Sequence, residues 1–272
     1  MSKLFKLKPV ISVLLVALLL ITSNSCKKDD KDEVPELPPQ EAFLMDFSDF
    51  EIADIPGNIK ALTSSNNFAY AVSNVVVWNL IATALVAVPC IAYAEAFKHE
   101  AVYLGENSWQ WLYSVTANQS TYTAKLISKR ISNEEFTLKM LVSKSGDGGY
   151  EDFKWFEGTV RYDHTAANWT LYSSPEVTSP VMTIDWIMDW EEDLYSIKYT
   201  CVQTGNDYGS YIEHGVTDNS PFNAYYNIST TEGTVKIEWN TTTKAGHVKS
   251  QEHFGDSDWH CWNENLMDVV CE

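Results

Sequence analysis

The chain has 272 residues, 45% of them hydrophobic and 13% aromatic, which is the composition of a folded protein and excludes a disordered one. Its formal net charge is −18. Removing the three lysines of residues 1–25 from the 19 basic residues leaves 16 against 37 acidic ones, so no cationic surface for a nucleic-acid backbone is expected. The chain opens with Lys3, Lys6 and Lys8 and no acid, then runs apolar from Val10 to Ile21 except for Ser12. A basic start followed by an apolar stretch too short to span a bilayer reads as an export signal over residues 1–25.

Small and polar residues, Thr22-Ser23-Asn24-Ser25, lead into Cys26, and Lys27-Lys28-Asp29-Asp30-Lys31-Asp32-Glu33 follows it. A cysteine just after the apolar stretch resembles the lipid-acceptor cysteine of bacterial lipoproteins, with Ser23 where that pattern has an aliphatic residue. The charged run after it resembles the tether of surface-exposed lipoproteins of Bacteroidota. The resemblance covers residues 1–33. It implies acylation of Cys26 and an outer-membrane location, either facing outward or facing the periplasm. The acidic surface repels anionic head groups, so attachment is expected through the lipid. Residues 26–45 carry charges and Pro35, Pro38 and Pro39 and are expected to form an extended, flexible tether.

Residues 46–107 are expected to be helical and to pack on a sheet. Within them, Val75 to Ala94 has Asn79 and Thr83 as its polar side chains, with apolar residues on every face. Such a helix is either buried or membrane-spanning, and Asn79 and Pro89 favour burial in the hollow of a curved sheet. Ser64-Ser65-Asn66-Asn67 supplies capping side chains at its start and Lys98-His99 suits its end.

From residue 108 to 272 the pattern turns to period two. Trp109, Trp111, Tyr113 and Val115 occupy one phase, as do Phe136, Leu138, Met140 and Val142. Met182, Ile184, Trp186, Met188 and Trp190 repeat the pattern, followed by Tyr195, Ile197, Tyr199 and Cys201, and by Val235, Ile237 and Trp239. Alternation predicts antiparallel strands with one buried and one wet face. With weaker candidates, such as Tyr211–Val216 and His247–Phe254, the total is about eleven strands in a meander, more than an open twisted sheet holds comfortably. The expected fold is therefore mainly β, a large meander curled into a barrel, half-barrel or sandwich around one buried apolar helix. That arrangement is similar in architecture to the half-barrel lipoprotein carriers.

Besides Cys26 there are Cys90, Cys201, Cys261 and Cys271. Export permits disulfides, and Cys261 with Cys271 is the expected pair, pinning the C-terminal tail. Cys90 and Cys201 could bond each other or remain buried thiols. His253, Asp256, Asp258 and His260 form the densest set of possible metal ligands, at a spacing that matches no standard motif and fits a solvated loop better, so no metal is expected. Asp185 and Asp189 share the wet face of one strand. No nucleophile elbow, phosphate loop or dinucleotide glycine fingerprint occurs, so neither a catalytic residue nor a cofactor is expected. The tryptophans of the strands belong to the core, while Trp259 and Trp262 suit a surface contact. The expected role is a non-enzymatic envelope lipoprotein that binds a hydrophobic ligand or acts as a scaffold. The alternative is a surface module that binds glycan or protein through exposed aromatics.

Overall fold

A computed structural model describes residues 33–50, 66–117 and 119–271. The export segment and Cys26 lie outside the described residues. Fourteen strands pair in strict sequence order in one antiparallel sheet. They are β1 (Val102–Gly105), β2 (Ser108–Ala117), β3 (Ser120–Arg130), β4 (Glu135–Lys144), β5 (Tyr150–Arg161), β6 (Ala166–Leu171) and β7 (Met182–Asp189), then β8 (Leu194–Cys201), β9 (Tyr211–Val216), β10 (Ala224–Thr230), β11 (Gly233–Trp239), β12 (Gly246–Lys249), β13 (His260–Trp262) and β14 (Asp268–Val269). The strands expected from the sequence correspond to β2–β12, except that the expected strand His247–Phe254 ends at Lys249 and Gln251–Phe254 is helical. The end strands β1, β13 and β14 are additional, and β1 takes residues expected to be helical. The β1–β2 turn places Glu106 and Asn107 at φ 52° and 58°, which gives the two-residue hairpin its twist.

The sheet does not close into the barrel that was one of the expected forms, because β1 and β14 pair on one side only. Both edges are short, which limits the unpaired backbone they present.

The inner face is organised in cross-strand rows. One runs Trp109–Ser128–Leu138–Gly158–Trp169–Ile184–Tyr199–Ile212–Ile228–Val235 across ten consecutive strands. Small residues in these rows make room for indole rings. A Cβ on Gly158 would lie 2.4 Å from the Trp169 ring, and one on Gly246 would lie 2.5 Å from the Trp262 ring. A second row passes Trp186, Ile197, His214, Tyr226 and Ile237, so an imidazole occupies an inward position among apolar and aromatic side chains.

Two layers cover that face. The first is residues 35–50, where the structure corrects the expectation of a flexible tether reaching residue 45. One compact unit begins at Pro35. Leu37, Ala42, Phe43, Met45 and Phe50 are buried, and Gln40–Ala42 and Ser48–Phe50 form 3-10 turns. The sheet holds this segment by its backbone. The Trp169 indole N–H donates to the Ala42 carbonyl (2.8 Å) and the Tyr199 hydroxyl to the Phe43 carbonyl (2.6 Å). The Tyr226 hydroxyl donates to the Asp46 carbonyl, and the Trp239 indole to the Asp49 carboxylate (2.8 Å). The prolines free the segment of some donor requirements, and burial of its apolar side chains outweighs its charges.

The second layer is helix α1 (Asn67–Ala96), thirty residues continuous through Pro89. Asn66 caps it, its side chain accepting from the Ala69 N–H at 3.0 Å. Its first turn is tied to the tail by Asn67, whose N–H donates to the Asp268 carboxylate (2.9 Å) and whose side chain donates to the Cys261 carbonyl (3.0 Å). A carboxylate there also suits the positive end of the helix dipole. The helix touches β12 and β13 at one end of the sheet and β2 and β3 at the other. At the middle strands Phe43 lies between helix and sheet, its ring centroid 5.0 Å from Tyr93 and stacked 3.9 Å from Trp169.

The helix is not wholly buried, as a helix apolar all round was expected to be if it did not span a membrane. Val72, Val75, Trp78, Ala82, Val86 and Tyr93 face the core, while Val77, Leu80, Ile81 and Ile91 are exposed. The stretch Asn67–Val86 is apolar and long enough to cross a membrane by composition, with mean hydropathy 1.6.

Candidate functional site

The hollow of the sheet is occupied by α1 and residues 35–50, and a large concavity lies elsewhere. It is an open groove of about 950 Å³ on the outer face of β10–β14. Its floor is a cross-strand row opposite in phase to the core, Tyr225–Glu238–His247–Cys261, which Gly215 continues beyond the groove. Gly215 lies beneath the Tyr225 ring, where a Cβ would come within 2.5 Å. The Tyr225 hydroxyl donates to the Glu213 carboxylate (3.1 Å). The walls come from the β9–β10 connection, with Asn219 and Phe222, and from the tail after Trp259.

His247 is the centre of the groove. Its ring stacks on Trp259 at 3.7 Å and 13°, and Phe222 lies 4.4 Å away at a tilt. Nε2 is 3.0 Å from the Glu238 carboxylate. Burial lowers the His247 pKa below 6.5, with the Glu238 charge opposing the shift. The imidazole is therefore neutral at pH 7, with Nε2–H donating to Glu238. The Lys249 ammonium lies over the Trp259 ring, 5.5 Å from its centroid.

The disulfide expected between Cys261 and Cys271 is present and draws the tail across one end of the groove. The possible bond between Cys90 and Cys201 is not formed, and both thiols are free. Cys90 is on the inner face of α1, whereas Cys201 ends β8. With Phe43 and its neighbours inserted between helix and middle strands, the two are not brought to the approach a disulfide requires. Burial raises the Cys90 thiol to about 11 and leaves it protonated.

The metal-ligand candidates do not converge. Among the described residues no three His, Cys, Asp or Glu side chains form a metal-binding group. His253, on the short helix α2 (Gln251–Phe254), stacks flat on Tyr70 at 3.7 Å. His260 stacks on Phe254 and holds the Asp256 carboxylate at 3.1 Å, while the backbone N–H of Asp258 donates to Asp256 at 3.0 Å. They form a local turn network.

Two tryptophan assignments change. Trp262, expected at the surface, is buried and donates its indole N–H to the Lys244 carbonyl at 2.7 Å. Trp190, expected in the core, is 53% exposed, because its position follows the end of β7, and its indole donates to the His164 carbonyl. Trp259 remains half-exposed in the groove, as the sequence suggested. Tyr225, Glu238 and His247 were not singled out from the sequence, since each is an ordinary residue of a wet strand face and only the register joins them.

The groove gathers aromatic rings beside a carboxylate and side-chain amides. Glu238 is the one carboxylate among its described lining residues, so the paired carboxylates of a glycosidase are not assembled there. Comparison with protein-family models, with curated proteins and with solved structures gives no match.

Proposed function

We propose that the protein is a non-enzymatic envelope lipoprotein, anchored to the outer membrane through Cys26, whose outer groove binds a neutral glycan. The observation that carries the glycan reading is the stack of His247 on Trp259 beside Phe222, with Glu238 and Asn219 in the same groove. Aromatic faces stack on the apolar faces of sugar rings, and carboxylate and amide groups accept and donate to hydroxyls. The rival reading, a carrier of a hydrophobic ligand, needs an empty apolar hollow, and here that space holds α1 and residues 35–50.

The test is tryptophan fluorescence and calorimetry of the purified full-length protein against a panel of neutral oligosaccharides. Saturable binding is expected, lost in Trp259→Ala with little change in melting temperature. Absence of binding across the panel, or equal binding by the variant, would overturn the reading. The anchor is tested separately: labelled fatty acid should enter the wild type and not Cys26→Ala.

A further inference from the structure

Among the described residues, none packs on the outward side of α1 at Leu80 and Ile91. From Asn67 to Ala94 the helix carries no charged side chain. Its inner face is occupied by the core, yet Leu80 is 68% and Ile91 72% exposed, with Val77, Ile81 and Ala84 on the same side. At 1.5 Å per residue this stripe from Val77 to Ile91 is about 21 Å long. Polar groups bracket it, Ser73 and Asn74 before it and the Glu95–Lys98 ion pair after it.

Three occupants are conceivable, and the observations separate them. A second copy would add another chain of net charge −18. The stripe, about 21 Å by 10 Å, also falls far short of the roughly 800 Å² per partner of a stable dimer. A membrane-spanning role is excluded by the inner face, which is packed on a sheet with a wet outer side. A bilayer surface carries neither penalty, and an apolar strip bounded by polar residues suits a helix lying in the interface. Chain length adds to this. The nine residues from Cys26 to Pro35 reach at most about 30 Å, so an acylated Cys26 keeps the helix within its own length of the lipid.

We propose that the exposed face of α1 is a second membrane contact, lying flat with Val77, Leu80, Ile81 and Ile91 among the acyl chains of an uncharged bilayer. This rests on the proposed lipid anchor for its proximity argument.

The experiment uses the full chain, with Cys201→Ser to reduce background, reconstituted in phosphatidylcholine vesicles. A polarity-sensitive fluorophore is placed at Leu80→Cys, and in a second variant at Lys236→Cys, which lies exposed on the outer side of β11. The parent chain without either cysteine gives the background. The expected result is a blue-shifted emission at position 80 that a nitroxide-bearing lipid extinguishes, with position 236 unaffected. Water-like emission at 80 without lipid quenching overturns the proposal. So does a blue shift that lipid nitroxides leave intact and that accompanies cross-linking between copies, since a second copy would then cover the face. The mass of the same sample reports whether Cys26 is acylated, so failure of the anchor reading is distinguishable from failure of this one.

Discussion

The hydroxyl of Tyr195 donates a hydrogen bond to Nε2 of His214 across 2.8 Å, inside the sheet's apolar layer. The Tyr225 carbonyl, an acceptor only, lies 3.0 Å from Nδ1, which fixes the tautomer: Nδ1 carries the proton and Nε2 receives one. Both ring nitrogens of this buried imidazole are thus satisfied in the neutral form. Burial lowers the His214 pKa below 6.5, opposed by the Tyr225 carbonyl and the Asp46 and Asp49 charges. Tyr195 is itself pushed up to about 12 by burial, so it remains a donor.

A pH dependence follows. The unfolded chain binds a proton at His214 near pH 6.5, while the folded chain resists it until lower pH. The stabilisation is present above the unfolded value and is lost as pH falls toward the folded one. His247 shifts the same way. Melting temperature is expected to fall between pH 7 and pH 5, and to fall less in His214→Phe, which starts lower because Tyr195 and the Tyr225 carbonyl lose their partner. Equal pH slopes for the two proteins would contradict this account.

Gly158→Ala tests the packing of the longest core row. The added methyl group would sit 2.0 Å from the Asn168 carbonyl oxygen as well as against the Trp169 ring, so backbone must move. The expected cost is about 3 kcal/mol, the upper range for overpacking, read from denaturant unfolding.

Phe43→Ala tests whether residues 35–50 belong to the fold. Phe43 touches Tyr93, Phe156 and Trp169 at once. Its removal is expected to cost about 3–5 kcal/mol and to open the segment to protease near Pro39. An unchanged midpoint would mean that the segment is a passenger.

Removing the disulfide with Cys261→Ser and Cys271→Ser frees a loop with a sequence separation of 10. The chain-entropy estimate for so short a loop is about 3 kcal/mol. Because α1 begins on the Cys261 carbonyl and the Asp268 carboxylate, amide exchange should rise in the tail and in the first turn of α1, and not in β3–β8.

Strands β2–β12 were legible because the alternation of Trp, Leu, Met and Ile records one buried face directly. β1, β13 and β14 were not, since segments of four, three and two residues hold no period. The helix was legible, but a surface apolar on all sides cannot say which side packs. Residues 35–50 were hidden for a different reason: Leu37, Phe43, Met45 and Phe50 are irregularly spaced among prolines and acids, and their burial depends on strands far along the chain. His214 did leave a signal, a polar residue in the apolar phase of Ile212 and Val216. The groove left none, because Tyr225, Glu238 and His247 meet only through cross-strand register.

Each strand pairs solely with its neighbours in sequence, so the meander can zip from any hairpin without closing a long loop. Residues 42–49 are the opposite case, bonding across separations of 127 to 195 positions. Folding is therefore divided in time: the sheet is quick and local, and its N-terminal latch arrives last. Pulsed exchange labelling that found the amides around Met45 protected before those of the β3–β4 hairpin would refute that order. Until the latch seats, the aromatic rings of the middle strands stand open to water, and the fold is vulnerable to aggregation for as long as that docking takes.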